Sequence, residues 1–186
     1  MFLDETGSNV AMARRYGRSR RGRPVYGSVP LNRGPNLTVV GAARAADGGR
    51  GGLVAWRAMD GAMTGARFLA FVVEALLPAL SGGDVVVMDN LSAHKTPAVR
   101  AALAGAGVGV LYLPRYSPEY NPIEPARLGG AGCWAVVKGR PRSAGARTRE
   151  ALRAAVAEAL AAVGAEQVGR WVRHCGYRLS ITRSRH

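Results

Sequence analysis

Two short apolar runs constrain this chain more than any other feature: Asp84–Met88 (DVVVM), preceded by glycines, and Val108–Tyr112. Apolar runs without alternation read as strands buried on both faces. Between them, Thr96-Pro97 marks a helix start, with proline at the first helical position, where its missing N–H costs nothing; Gly105 or Gly107 ends that helix. Two buried strands joined by a helix form a right-handed crossover and lie parallel.

Other segments extend this unit. Leu37–Ala43 and Leu53–Arg57 are β-rich and flank an Asp47-Gly48-Gly49 turn, the pattern of a hairpin. From Thr64, residues Phe68, Phe71, Val72, Leu76 and Leu80 recur at helical spacing. Met1–Leu3 reads as the end of a strand leading into Asp4. A stiff loop with Pro114, Pro118 and Pro122 leads to a helix expected to begin near Asn121. Another helix runs from Thr148, with Leu152, Val156, Leu160 and Val163 on one face, and a last one carries Val168, Trp171, Val172 and Cys175. The expected fold is α/β: a mixed sheet flanked by helices on both faces.

At 186 residues the chain is expected to form one domain, large enough to fold without disulfide or metal. Cys133 and Cys175 form no CxxC or His/Cys cluster, which argues against structural zinc and fits a reducing compartment. Phe68–Leu80, the longest apolar run, is interrupted by Glu74 and too short to cross a bilayer; the first five residues lack the features of a signal peptide. No membrane partner and a cytoplasmic, nucleoid-associated location are expected. The net charge of +14 points to a polyanion, DNA or RNA by default. Of the basic residues 24 are arginine and two lysine; this ratio suits phosphate binding and equally suits a GC-rich genome, which explains the ratio but not the net sign.

With only twelve carboxylates, each can be asked its purpose. Asp47, Asp60, Asp84, Glu74, Glu150, Glu158 and Glu166 have solvated readings on turns, strand ends or helix faces. Asp4 ends the first strand, Asp89 ends the Val85–Met88 strand, and Glu124 falls in the first turn of the helix expected near Asn121. In open α/β sheets ligands bind in the crevice beyond strand ends. Three carboxylates gathered there repel one another unless cations neutralise them, and hard oxygen ligands select magnesium or manganese. Two such ions about 3.5–4 Å apart serve phosphodiester chemistry. Simpler roles stay open. Glu124 after Asn121-Pro122 fits a capping box, Asp89 before Asn90 fits a turn, and Asp4 fits an exposed terminal residue. Glu5 points to the other side of the strand, supporting the site from behind or solvated.

Three blocks in order resemble the catalytic blocks of mariner-type insertion-sequence transposases, the bacterial branch often called IS six-thirty. They are Phe2-Leu3-Asp4-Glu5-Thr6-Gly7, Val86-Val87-Met88-Asp89-Asn90-Leu91-Ser92-Ala93-His94-Lys95, and the run from Tyr112 to Glu124 ending Asn121-Pro122-Ile123-Glu124. Asp89 and Glu124 are separated by 34 residues, as in that branch, and Tyr16-Gly17-Arg18 and His174-Cys175-Gly176-Tyr177 also match. The resemblance implies a DDE transposase catalytic domain of ribonuclease H-like fold, with Asp4, Asp89 and Glu124 holding two Mg2+ or Mn2+ ions. It implies DNA as partner, both transposon ends and target. Water would cut the DNA, and the freed 3′-hydroxyl would attack the target without a covalent protein intermediate. His94 and Lys95 would lie near phosphate, or His94 would hold a loop. Asn90 would orient Asp89 or a metal-bound water, or serve a turn. Arg14, Arg15, Arg18, Arg20, Arg21 and Arg23 would track DNA or form a solvated loop.

The division expected is a core over 1–145, C-terminal helices over 146–180 and a basic tail over 181–186. The family carries helix-turn-helix modules ahead of its core, whereas this sequence starts almost at Asp4. This sequence would then be the second frame of a two-frame element, a fragment or the product of a mis-called start, with end recognition encoded outside it; a separately encoded helix-turn-helix subunit is one partner this allows and a homodimer another. Gly129, Gly130 and Gly132 follow Glu124 closely, and each glycine inside a helix costs about 0.8–1 kcal/mol relative to alanine. That suggests a truncated or degenerate copy, at best feebly active in strand transfer. The rival readings are a non-catalytic DNA-binding remnant and another nuclease of the same fold.

Overall fold

The computed structural model describes residues 1–47, 50–124 and 132–178. Five strands form one sheet: β1 (Phe2–Ser8), β2 (Leu37–Asp47), β3 (Arg50–Asp60), β4 (Val85–Met88) and β5 (Gly109–Tyr112). Their order is β3-β2-β1-β4-β5. β1, β2 and β3 pair antiparallel, while β1, β4 and β5 run parallel. The hairpin is longer than its apolar runs suggest; Gly48 and Gly49 of the expected turn lie outside the described residues.

Helix α1 (Gly65–Phe71) starts where Thr64 Oγ1 accepts from Arg67 N, and continues as a π turn (Val72–Leu76) and a 3-10 turn (Leu77–Ala79). Helix α2 (Pro97–Gly105) is capped by Thr96 and has proline at its first position, as the sequence predicts. Helices α3 (Cys133–Ala144), α4 (Arg149–Ala161, capped by Thr148) and α5 (Ala165–His174) complete the chain.

The period-two alternation of β1 separates two cores. Leu3 joins Val40, Val86, Met88, Phe68, Phe71, Val99 and Leu103 under α1 and α2. Phe2 joins Val39, Val87, Trp134, Val137, Leu152, Val156, Leu160, Val168 and Val172 under α3, α4 and α5. Each fully buried aliphatic or aromatic side chain contributes about 1.5–3 kcal/mol. Helices thus cover both faces. Among the described residues no helix is long and apolar enough to cross a membrane.

Two expectations need correction. β5 is an edge strand rather than one buried on both faces, and Leu111 is half-exposed. Among the described residues no helix begins at Asn121: a 3-10 turn (Pro118–Tyr120) precedes it, Asn121 is extended, and the next described helix starts at Cys133. Glu124 precedes Pro125, and the residue before a proline is driven from the α conformation. Gly132 is the N-cap of α3, not an interior glycine; Gly129, Gly130 and the tail over 181–186 lie outside the described residues.

Candidate active site

Asp4 does not end its strand as the sequence suggests: β1 runs on to Ser8, and Asp4 lies within it, paired across the sheet with Gly41 of β2. Gly41 has no side chain, and a Cβ there would stand 3.1 Å from the Trp134 ring and 3.2 Å from Leu53 Cδ1. Trp134 fills this space, and its Nε1–H donates to Asp4 Oδ2 at 2.7 Å. Asp4 is only 5% exposed rather than a solvated terminal residue. Burial, then the charge of Glu124, raises its pKa well above the carboxylate range; the indole donor opposes both.

Glu124 is held by a knotted turn. Asn121, buried, donates from Nδ2 to Leu3 O at 3.2 Å and accepts from Ile123 N at 3.3 Å. Glu124 N donates to Asn121 O at 3.0 Å, and Trp134 N donates to Ile123 O at 3.1 Å. The turn is therefore tied to β1 on one side and to the start of α3 on the other. Burial and the charge of Asp89 raise the Glu124 pKa, while Lys138 acts the other way.

Asp89 follows β4 and accepts from Leu91 N at 2.9 Å, a turn contact of its own. Beside it stands His94, completely buried, with Nδ1 2.8 Å from Asp89 Oδ1 and Nε2 2.9 Å from Glu5 Oε2. The Nδ1 contact is a close ion pair without hydrogen-bond alignment. Burial disfavours a charged His94, but the two carboxylates outweigh it and lift its pKa to about 9. Burial pushes Asp89 upward as well, yet His94 and Leu91 N hold it below the ordinary carboxylate value.

His94 therefore lies inside the protein, between the carboxylates of Glu5 and Asp89, rather than on the exposed surface. Asn90 bonds with both ends, donating to Leu113 O and accepting from Lys95 Nζ, so it ties the β4 exit to the β5 exit instead of orienting Asp89. Lys95 also lies 5.0 Å above the Tyr112 ring. Asp89, Asn90, Asn121 and Glu124 line one crevice of about 470 Å3 with the Leu113–Pro118 loop. Tyr116, in that wall, is the one described non-glycine residue at positive φ (59°). Asp4 lies next to this crevice without lining it, and among the described residues no three His, Cys, Asp or Glu side chains already form a metal-ligand cluster.

Arg14, Arg15, Arg18, Arg20, Arg21 and Arg23 are all exposed. Arg14 donates to Ser143 O at 2.8 Å, and Arg147 donates to Val10 O and Met12 O at 3.0 and 2.9 Å, pinning the basic loop beside α3. Lys138 and Arg142, one turn apart on α3, connect the loop to the carboxylates. Burial and Arg142 lower the Lys138 pKa while Asp4 and Glu124 raise it; burial and Arg15 lower that of Arg142. Trp134, Gly41, Asn121 and Lys138 join this arrangement without being expected in it from the sequence. One signal was available: a buried tryptophan N–H needs an acceptor.

Comparison with known proteins adds lineage to this geometry. No curated protein matches the sequence. The Mos1 transposase paired-end complex with left transposon end is 18% identical, with a TM-score of 0.69 over 94% of this chain and 51% of that one. The Mos1 mariner paired end complex with Mn gives 18% identity and a TM-score of 0.64 over 94% and 51%. The Mos1 catalytic domain with Raltegravir and Mg gives 16% and 0.58 over 94% and 76%. At such identities the likeness is one of fold, the ribonuclease H-like mixed sheet, and this chain spans about half the length of the full transposases. Residues 1–153 match the family described as DDE superfamily endonuclease. With that match over most of its length, the chain belongs to the DDE superfamily endonucleases.

Proposed function

We propose that this chain is the catalytic domain of a transposase of the mariner-type insertion-sequence branch, cutting DNA and joining it to a target. The observation that carries this reading is the crevice lined by Asp89 and Glu124, whose turn is tied by Asn121 to β1, the strand that carries Asp4; the charge of Glu124 in turn raises the Asp4 pKa. Uncompensated, two of these groups resist ionisation, and such sites gather where chemistry is done. The donors are all hard oxygens, suited to Mg2+ or Mn2+. Two ions held by Asp4, Asp89 and Glu124 would activate the attacking oxygen and stabilise the leaving one. The solved transposase structures named with Mn and with Mg favour those metals.

The chain's own residues have separable tasks in this reading. His94 keeps Asp89 and Glu5 in fixed relation, and Asn121 holds the Glu124 turn against β1. Arg14, Arg15, Arg18, Arg20, Arg21, Arg23 and Lys95 face the phosphates of transposon ends and target, with Lys138 and Arg142 continuing the basic path toward the carboxylates. The core spans 1–145, the helices 146–180 and a basic tail 181–186. A helix-turn-helix unit, separately encoded, would read the ends, a second copy would complete a homodimer, and the work would be done in the cytoplasm on nucleoid DNA.

The deciding experiment incubates supercoiled plasmid and transposon-end duplexes with Mg2+ or Mn2+, comparing this chain with Asp89→Ala. Metal-dependent nicking that disappears in the variant is expected. Equal, negligible rates from folded proteins would instead make the chain a non-catalytic DNA-binding remnant.

A further inference from the structure

Asp4 and Glu124 come from segments far apart in sequence, and one residue touches both arrangements. The Trp134 side chain donates to Asp4 Oδ2 at 2.7 Å, while its backbone N–H donates to Ile123 O at 3.1 Å, one residue before Glu124. Its ring is 2% exposed and lies over Gly41, the residue paired with Asp4, where any Cβ would crowd it. An indole has one donor and no acceptor, so its direction is set by the single bond it makes. That bond holds Oδ2 and so restrains the rotation of the carboxylate. Phenylalanine would keep an aromatic ring there, smaller than the indole and without the donor.

We propose that Trp134 is a positioning residue that sets the Asp4 carboxylate for divalent-cation binding and locks the Glu124 turn to the same frame. This rests on the metal-dependent reading of the site. Groups that orient a metal ligand typically matter by roughly 10–100-fold in metal affinity or activity.

The test compares wild type with Trp134→Phe, with melting by circular dichroism as the fold control. Mn2+ affinity, measured from free Mn2+ by electron paramagnetic resonance, is expected to fall about 10–100-fold. In Mg2+-dependent nicking, kcat falls with it while KM for plasmid stays unchanged. A variant that binds Mn2+ and cuts as wild type does overturns the proposal and leaves the transposase reading intact. Melting and activity falling together at unchanged Mn2+ affinity mark mere packing and also overturn it. A wild-type chain that neither binds Mn2+ nor cuts overturns both readings. Should the variant not fold, the wild type still answers through its three indole N–H resonances, Trp56, Trp134 and Trp171. Mn2+ is expected to broaden that of Trp134 first, and equal broadening of all three would overturn the proposal.

Discussion

His94, fully buried, spans 2.9 Å to Glu5 and 2.8 Å to Asp89, joining the second carboxylate of β1 to the carboxylate beyond β4. The alternation of β1 sends Asp4 toward α3 and Glu5 toward α1, where His94 also packs 4.2 Å from the Phe68 ring. Both faces of the strand therefore serve the same sheet end, one through an indole and the other through an imidazolium.

His94→Gln is expected to destabilise the metal-free protein by about 2–3 kcal/mol, because two carboxylates lose a buried cationic partner. The sign of the pH effect follows from a folded pKa of about 9 against an ordinary 6.5. A raised histidine stabilises fully below its unfolded value, and that contribution is lost as pH rises toward the folded one. Denaturant melts should show wild-type stability falling between those limits by up to about 3 kcal/mol, with the slope absent in the variant. A wild-type stability that is flat across this window would refute the charged bridge.

Asp4→Asn is expected to act in opposite directions on stability and function. An acid whose folded pKa is raised destabilises the fold as pH climbs above its unfolded value. Asparagine removes that charge and keeps an oxygen for the Trp134 donor, so the metal-free variant should gain about 0.5–2 kcal/mol at neutral pH. Cleavage should be lost. A lower melting temperature at neutral pH would contradict the account of a strained, buried carboxylate.

How much of this was legible before the fold was known depends on distance along the chain. Thr96-Pro97, the Val85–Met88 run and the Thr148 helix are local signals, and each produced the element it predicts. The capping pattern Asn121-Pro122-Ile123-Glu124 was equally local but misleading. The Asn121 side chain found Leu3 O in β1, 118 residues away, and Pro125 disfavours helix at Glu124. Trp134 and Asp4 meet across 130 residues, and His94 and Glu5 across 89, through sheet register that no single segment encodes. The edge position of β5 is likewise a property of strand order: Val110 and Leu111 are apolar enough for an interior strand, yet among the described residues none pairs beyond it.

Gly41→Ala tests the space opposite Asp4. Its Cβ would come within 3.1 Å of a buried ring and 3.2 Å of Leu53, and overpacking of this kind costs about 1–3 kcal/mol. The melting temperature should fall, and tryptophan emission should shift as the ring is displaced. Nicking should weaken beyond what the lost stability explains, since Asp4 loses its donor geometry. Unchanged emission and rate would mean that Leu53 alone yields and the indole stays in place.

The basic loop contains exposed arginines, and Arg147 bonds to its backbone. Arg147 secures the loop base through Val10 O and Met12 O, whereas Arg20, Arg21 and Arg23 are exposed, with no side-chain partner recorded among the described residues. Replacing all three with alanine should leave the melting temperature nearly unchanged, since such surface changes stay within roughly 0.5 kcal/mol. Duplex binding measured across several salt concentrations should weaken, its log–log slope becoming shallower by about 0.9 for each phosphate contact removed. Arg147→Ala should do the reverse, lowering the melting temperature by loosening the loop while altering the slope less. If the triple variant keeps the wild-type slope, the loop does not lie along DNA, and the phosphate path must run instead through Lys138 and Arg142.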